Sequence, residues 1–166
     1  MAERREIVEL IPRLRRYARA LVGDRAAADD LVQDTLERAW IKFHLYRDGT
    51  DLRAWLFTVM HNVHVNRLRA ARNGDPLDEE MPEMAQRGSQ GDALVLRDLE
   101  RALVRLRDEQ REVLLLVALE DMSYDEVAHA LGIPIGTVMS RLSRAREKLR
   151  AMMLDLPATS KLKIVK

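Results

Sequence analysis

Residues 134–150, PIGTVMSRLSRAREKLR, carry the plainest chemistry in this chain. Five Lys/Arg against one Glu leave the stretch at +4. Wound as a helix at about 100° per residue, it puts Val138, Leu142, Ala145 and Leu149 on one apolar stripe. Gly136, Thr137, Ser140, Ser143, Arg144 and Glu147 point away from that stripe. Arg141 and Lys148 flank it on one side and Arg146 on the other. Small polar side chains let a helix sit deep in a major groove, while Arg reads guanine or clamps phosphate. A helical hairpin with a merely solvated basic face is the plain alternative, and the local charge surplus weighs against it.

Two further sets stand earlier in the chain. Over 51–72, Arg53, Arg67, Arg69 and Arg72 against Asp51 give +3, with His61 and His64 besides. Asn62 and Asn66 lie one turn apart there, where amides bond to bases or cap packing. His61 and His64 at i, i+3 have metal-ligand spacing, but no third ligand of matching spacing is near, so no metal is expected. Over 25–43, Asp29, Asp30, Asp34 and Glu37 make one helix side acidic, for which a solvated face is the bland explanation. Six of the seven aromatics precede residue 60. Beside a basic helix, aromatics suggest stacking platforms for unpaired bases. Trp40, Phe43 and Trp55 nevertheless fall on core stripes, where packing is the better expectation.

Helices must position all of these groups. Ser123 and Glu126 form a capping box ahead of Val127, Ala130 and Leu131. Gly132 supplies a sharp turn, and Pro134 is pre-set for the first turn of the next helix. The pair reads as a helix-turn-helix whose second helix is the reading one. Upstream, Ile7, Leu10, Ile11, Leu14, Tyr17, Ala18 and Leu21 keep a helical stripe that Pro12 should kink or restart. Gly23 ends it, and Asp24 caps a helix over about 25–43. Asp51 caps another from 52 to about 72. Val95, Leu99, Ala102, Leu103 and Leu106 mark a helix, Asp108 should cap one running to about 119, and both should pack behind the helix-turn-helix. Residues 73–91, NGDPLDEEMPEMAQRGSQG, break all periodicity and are acidic. Stretched at about 3.3 Å per residue, such a linker reaches roughly 60 Å, about 18 base pairs. The tail 157–166 has no readable pattern and is expected to be mobile.

At 166 residues with 47% hydrophobic and 33% charged side chains, the chain suits one average domain or two small helical ones. Net charge is only +1, so affinity for nucleic acid must come from local patches. Absence of cysteine excludes disulfides and Cys-ligated zinc and suits a reducing cytosol. With no signal-peptide pattern and no apolar run long enough to span a bilayer, a cytoplasmic protein without membrane insertion is expected. Neither a Gly-rich phosphate loop, a nucleophile with a base, nor a paired-acid constellation appears, so neither catalysis nor a cofactor is expected.

Three stretches, in order, resemble an extracytoplasmic-function sigma factor of bacterial RNA polymerase, over about residues 5–154. DDLVQDTLERAW (29–40) resembles the segment that binds the clamp-helix coiled coil of the polymerase. LRAWLFTVMHNVHVNRLR (52–69) resembles the helix that melts and reads the −10 element, and 122–150 resembles the module that reads the −35 element. The resemblance implies an all-α fold of two small helical domains, 1–72 and 92–156, joined by a flexible acidic linker, 73–91. It implies polymerase contacts from Asp30, Gln33, Asp34 and Glu37. It implies −10 contacts from His61, Asn62, Val65, Asn66 and Arg69, with the loop 44–50 capturing a flipped base. It implies −35 contacts from Gly136, Thr137, Ser140, Arg141, Ser143, Arg144 and Lys148. Core RNA polymerase (clamp helices and flap), promoter DNA and an anti-sigma factor are the implied partners, and a stress response the implied setting. The acidic linker matches the segment threaded toward the polymerase active centre. Met139 and Ser143 stand where many relatives carry a basic or larger side chain, so a −35 preference cannot be copied over.

Two other readings compete. A stand-alone helix-turn-helix regulator would need a dimer interface, and no heptad or long apolar terminal helix offers one. A decoy that sequesters an anti-sigma factor would not need intact DNA-reading residues in both halves.

Overall fold

A computed structural model describes residues 2–73 and 92–155, and every ordered element in them is a helix or a turn. The N-terminal half holds α1 (Ala2–Val22), α2 (Arg25–Ile41), a single 3-10 turn (Phe43–Leu45) and α3 (Leu52–Asn73). The C-terminal half holds α4 (Asp92–Arg105), α5 (Asp108–Ala118), α6 (Tyr124–Leu131) and α7 (Ile135–Leu154). The fold is thus all-α, in two helical groups. The expected linker beyond Asn73 and the expected mobile tail lie outside the described residues.

Local chemistry sets most helix ends. Gly23 takes φ 75°, and Asp24 Oδ2 accepts the Ala27 amide at 3.0 Å, which stops α1 and starts α2. The Asp51 carboxylate accepts the Arg53 amide at 3.0 Å ahead of α3. Before α6 the Glu126 amide donates to Ser123 Oγ at 3.1 Å, and the Ser123 amide donates back to Glu126 Oε1 at 3.4 Å. Gly132 then takes φ 65°, and the Ile133 amide bonds the Ala128 carbonyl at 3.0 Å, closing α6.

Three expectations need correcting. Of the two expectations for Pro12, the restart does not hold, because α1 is one helix through it; Pro12 is exposed, where water can take the carbonyl that loses its amide partner. Trp40 is not inward but 54% exposed. The buried arc of α2 runs through Ala28, Leu31, Val32, Thr35 and Ala39, and Trp40 falls beyond its edge, under the Arg4 guanidinium at 4.5 Å. Asp108 is not the cap of α5: Arg107 holds that place, and the Asp108 carboxylate turns to His64 instead.

In the N-terminal half Leu14, Leu21, Leu31, Leu56 and Met60 are among the largest fully buried side chains, and Tyr17 meets Phe57 edge-on at 5.0 Å between α1 and α3. In the C-terminal half Val138, Leu142 and Ala145 of α7 are buried with Val113, Leu116 and Val127 of α5 and α6. The two cores are continuous, because the halves pack on each other: α1 meets α4 and α5, and α3 meets α6.

Candidate nucleic-acid interface

The stripe and the face of α7 are cleanly separated. Val138, Leu142 and Ala145 are buried and Leu149 half-buried, while Gly136, Ser140, Ser143, Arg144 and Lys148 are exposed. Thr137 is half-buried and its carbonyl accepts the Ser140 hydroxyl at 3.2 Å. Arg141 is half-buried and lies 3.8 Å from Glu109 of α5. Met139, where a basic or larger side chain was the family expectation, is 52% exposed on the same face.

On α3, Asn62, Asn66 and Arg69 are exposed and Val65 is half-buried. Asn62 lines an open groove with Arg38, Lys42, Leu45, Trp55 and Thr58, where α2, the 3-10 turn and α3 converge. Trp55, Phe43 and Tyr46 are half-buried and touch one another, with Tyr46 5.4 Å from Trp55 and 5.7 Å from Phe43. The loop behind them is tied down: the Tyr46 hydroxyl donates to the Thr50 carbonyl and the Thr50 hydroxyl to the Arg47 carbonyl, each at 2.6 Å. Groups able to stack and groups able to hydrogen-bond therefore share one wall. His61 stands apart from them, its ring bonded to Glu112 of α5. His64 Nε2 bonds Asp108 Oδ1 at 2.8 Å, so the two histidines serve two different carboxylates.

The four acid-face candidates on α2 divide in two. Arg67 of α3 bonds Asp34, and lies 3.3 Å from the Asp30 carboxylate. Gln33 and Glu37 are exposed and line an open groove with Arg15, Leu36, Trp40 and Ile41, the last 71% exposed. An apolar floor with a polar rim suits a protein partner.

Sequence reasoning missed the charged groups between the halves. Arg111 of α5 donates to the carbonyls of Leu103 and Leu21, each at 2.6 Å, and of Val104 and Leu106, each at 2.8 Å. It thereby satisfies the ends of both α4 and α1. Burial pulls its pKa below the usual value, with Asp108 opposing. Glu120, at 0% exposure, faces Arg13 at 3.3 Å and Arg16 at 3.6 Å, and neither of its oxygens has a well-aligned hydrogen bond. Burial raises its pKa despite those arginines. Arg53 reaches the Glu120 carbonyl at 2.8 Å and the Glu126 carboxylate at 3.6 Å. Burial also raises the Tyr17 hydroxyl well above its ordinary pKa, with Glu112, Asp108 and Glu120 adding to the shift. The one sequence signal was position: Glu112 and Glu120 bracket the apolar run 113–119.

Among the described residues no helix is long and apolar enough to cross a membrane, and no group of three or more His, Asp or Glu could hold a metal ion.

Residues 7–61 match the family described as the sigma2 domain of PhyR, and residues 96–149 match sigma-70 region 4. The two matches, in this order, place a sigma2-type domain ahead of a region 4 domain. Among curated relatives, the sigma factor EcfG of Rhodopseudomonas palustris strain TIE-1 is 36% identical over 152 residues, 90% of this chain and 84% of that one. SigL of Mycobacterium tuberculosis strain H37Rv is 37% identical over 149 residues, 87% and 84% of the two chains. Among solved structures, the sigma factor RpoE of Bartonella quintana, in complex with the anti-sigma factor NepR, superposes with a TM-score of 0.76 at 34% identity, covering 98% of each chain. CnrH, in complex with the cytosolic domain of CnrY, gives 0.67 at 28% identity over 92% and 91%. The chain belongs to the ECF RNA polymerase sigma factors, whose role is promoter-specific transcription initiation with RNA polymerase rather than catalysis of their own.

Proposed function

We propose that the chain reads one promoter at two places while bound to core polymerase. Its first module, 1–72, docks on the polymerase and melts the −10 element, and its second, 92–156, reads the −35 element. The separation of α7 into a buried stripe and an exposed polar face carries this reading. Gly136, Thr137, Ser140, Ser143 and Arg144 meet base edges, and Arg141 and Lys148 hold phosphates. Asn62, Val65, Asn66, Arg69 and, once released from Glu112, His61 meet the unpaired −10 strand. The groove lined by Asn62, Lys42 and Trp55 is the place for a flipped base. Gln33 and Glu37 dock on the polymerase, with Asp30 and Asp34 beside them holding Arg67. By analogy with the NepR and CnrY complexes an anti-sigma factor is a further partner. The site of action is the cytoplasm, with the polymerase.

The test is permanganate footprinting of a promoter with chain alone, core polymerase alone and both. Reactive thymines are expected only with both components, and fewer with Asn62→Ala/Asn66→Ala. Tight, specific binding by the chain alone would favour a stand-alone regulator instead.

A further inference from the structure

The two reading surfaces cannot serve one promoter while the halves stay packed together. Elements centred near −35 and −10 lie about 25 base pairs apart, about 85 Å of duplex. A compact chain of this length is about 40 Å across. The halves must therefore separate, and what holds them together sets how readily they do.

Much of that hold is polar and of one sense. From α3 come His61, His64 and Arg53; from α5 and α6 come Glu112, Asp108 and Glu126. The two histidine bonds are the most sheltered of these. His64 and Glu112 are each 4% exposed, and sequence separations of 44 and 51 residues make both bonds true cross-chain contacts. Either ring donates an N–H to an acceptor carboxylate. His61 has a second meaning, since it neighbours Asn62 on the helix proposed to read the −10 strand. The Glu112 carboxylate occupies His61 Nδ1, one of the two ring nitrogens that could meet nucleic acid.

We propose that His61 and His64 of α3, gripping Glu112 and Asp108 of α5, form a clasp that holds the free chain closed and must let go before both modules engage one promoter. The clasp rests on the two-module reading above. It keeps His61 on a protein carboxylate until polymerase supplies stronger contacts elsewhere. Apparent affinity for a polymerase that engages both modules falls in proportion to the open fraction, because only the open chain can place the two modules apart on it.

The experiment uses the full chain, which lacks cysteine, so labels go only where placed. Arg25→Cys and Glu147→Cys, both exposed and one in each half, carry spin labels for pulsed electron–electron distance measurement. The otherwise unaltered chain should give one narrow distance. Asp108→Ala/Glu112→Ala should give a broad, longer distribution and bind core polymerase about tenfold more tightly, the effect of losing two hydrogen bonds from the closed state. The exchange His64→Asp/Asp108→His should restore much of the narrow peak. Far-UV circular dichroism is recorded for each; if the alanine pair loses helicity, His61→Ala/His64→Ala, which removes the donors instead of the acceptors, decides by the same two readouts. An unchanged narrow distance in a helical variant overturns the clasp, as does a broadened distance with unchanged polymerase affinity. Failure of the two-module reading shows separately, as a wild-type footprint without reactive thymines, whatever the distances.

Discussion

Arg141 and Arg144 are three residues apart on α7 and live in different places. Arg144 is exposed on the outward face; Arg141 is half-buried at the flank, beside Glu109. An outward guanidinium reaches base edges bidentately, where the right base is worth about 1–3 kcal/mol. A flanking one finds phosphate, which carries no sequence information. Arg144→Ala is therefore expected to relax base preference at one position of the upstream element. Arg141→Ala should weaken all promoters alike and lower the salt slope by about one unit. Selection from a randomised upstream element, repeated at two salt concentrations, separates the two; matching profiles would sink the division of labour. This face was legible in the sequence because 100° steps sort residues without knowledge of the partner. Trp40 was not, since an aromatic at stripe spacing reads as core whether or not a neighbouring helix arrives to cover it.

At the scale of elements, the α6–turn–α7 unit depends on one backbone conformation. Gly132 sits at φ 65°, and a Cβ there would meet nothing within 4 Å, so the cost of adding one is conformational alone. For an L-residue in the left-handed region that is about 1–2 kcal/mol. Gly132→Ala should lower the urea midpoint accordingly, and Ser123→Ala should cost about 1 kcal/mol through the lost cap. An unmoved midpoint for Gly132→Ala would mean the turn relaxes to another geometry. Caps and turns of this kind span three or four residues, so the sequence announces them. Asp108 shows the limit: an acid ahead of an apolar run looks like a cap, yet His64, 44 residues away, claims its carboxylate.

For the whole molecule, the least legible feature is the contact between halves, because Arg111 with Leu21 joins positions 90 apart and no local pattern marks it. Glu120 lies at the same junction, between Arg13 and Arg16 of the other half. Its raised pKa means that burial outweighs the attraction of those arginines. The stability tied to this group is then full below about pH 4.5 and is lost as pH rises through the raised value. Glu120→Gln, which mimics the protonated acid, should raise the urea midpoint at pH 7. The advantage over wild type should shrink as pH falls toward 4.5. A variant weaker than wild type at pH 7 would show that the ion pairs win instead.

The clean division of α7 has a consequence for descent. Outward positions such as Met139 and Ser143 touch no core, so replacing them shifts stability by under about 0.5 kcal/mol. On the reading proposed here, a duplicated copy of this chain can therefore drift to a new upstream element one residue at a time. Its scaffold and its polymerase contacts, carried by other helices, stay under separate selection throughout.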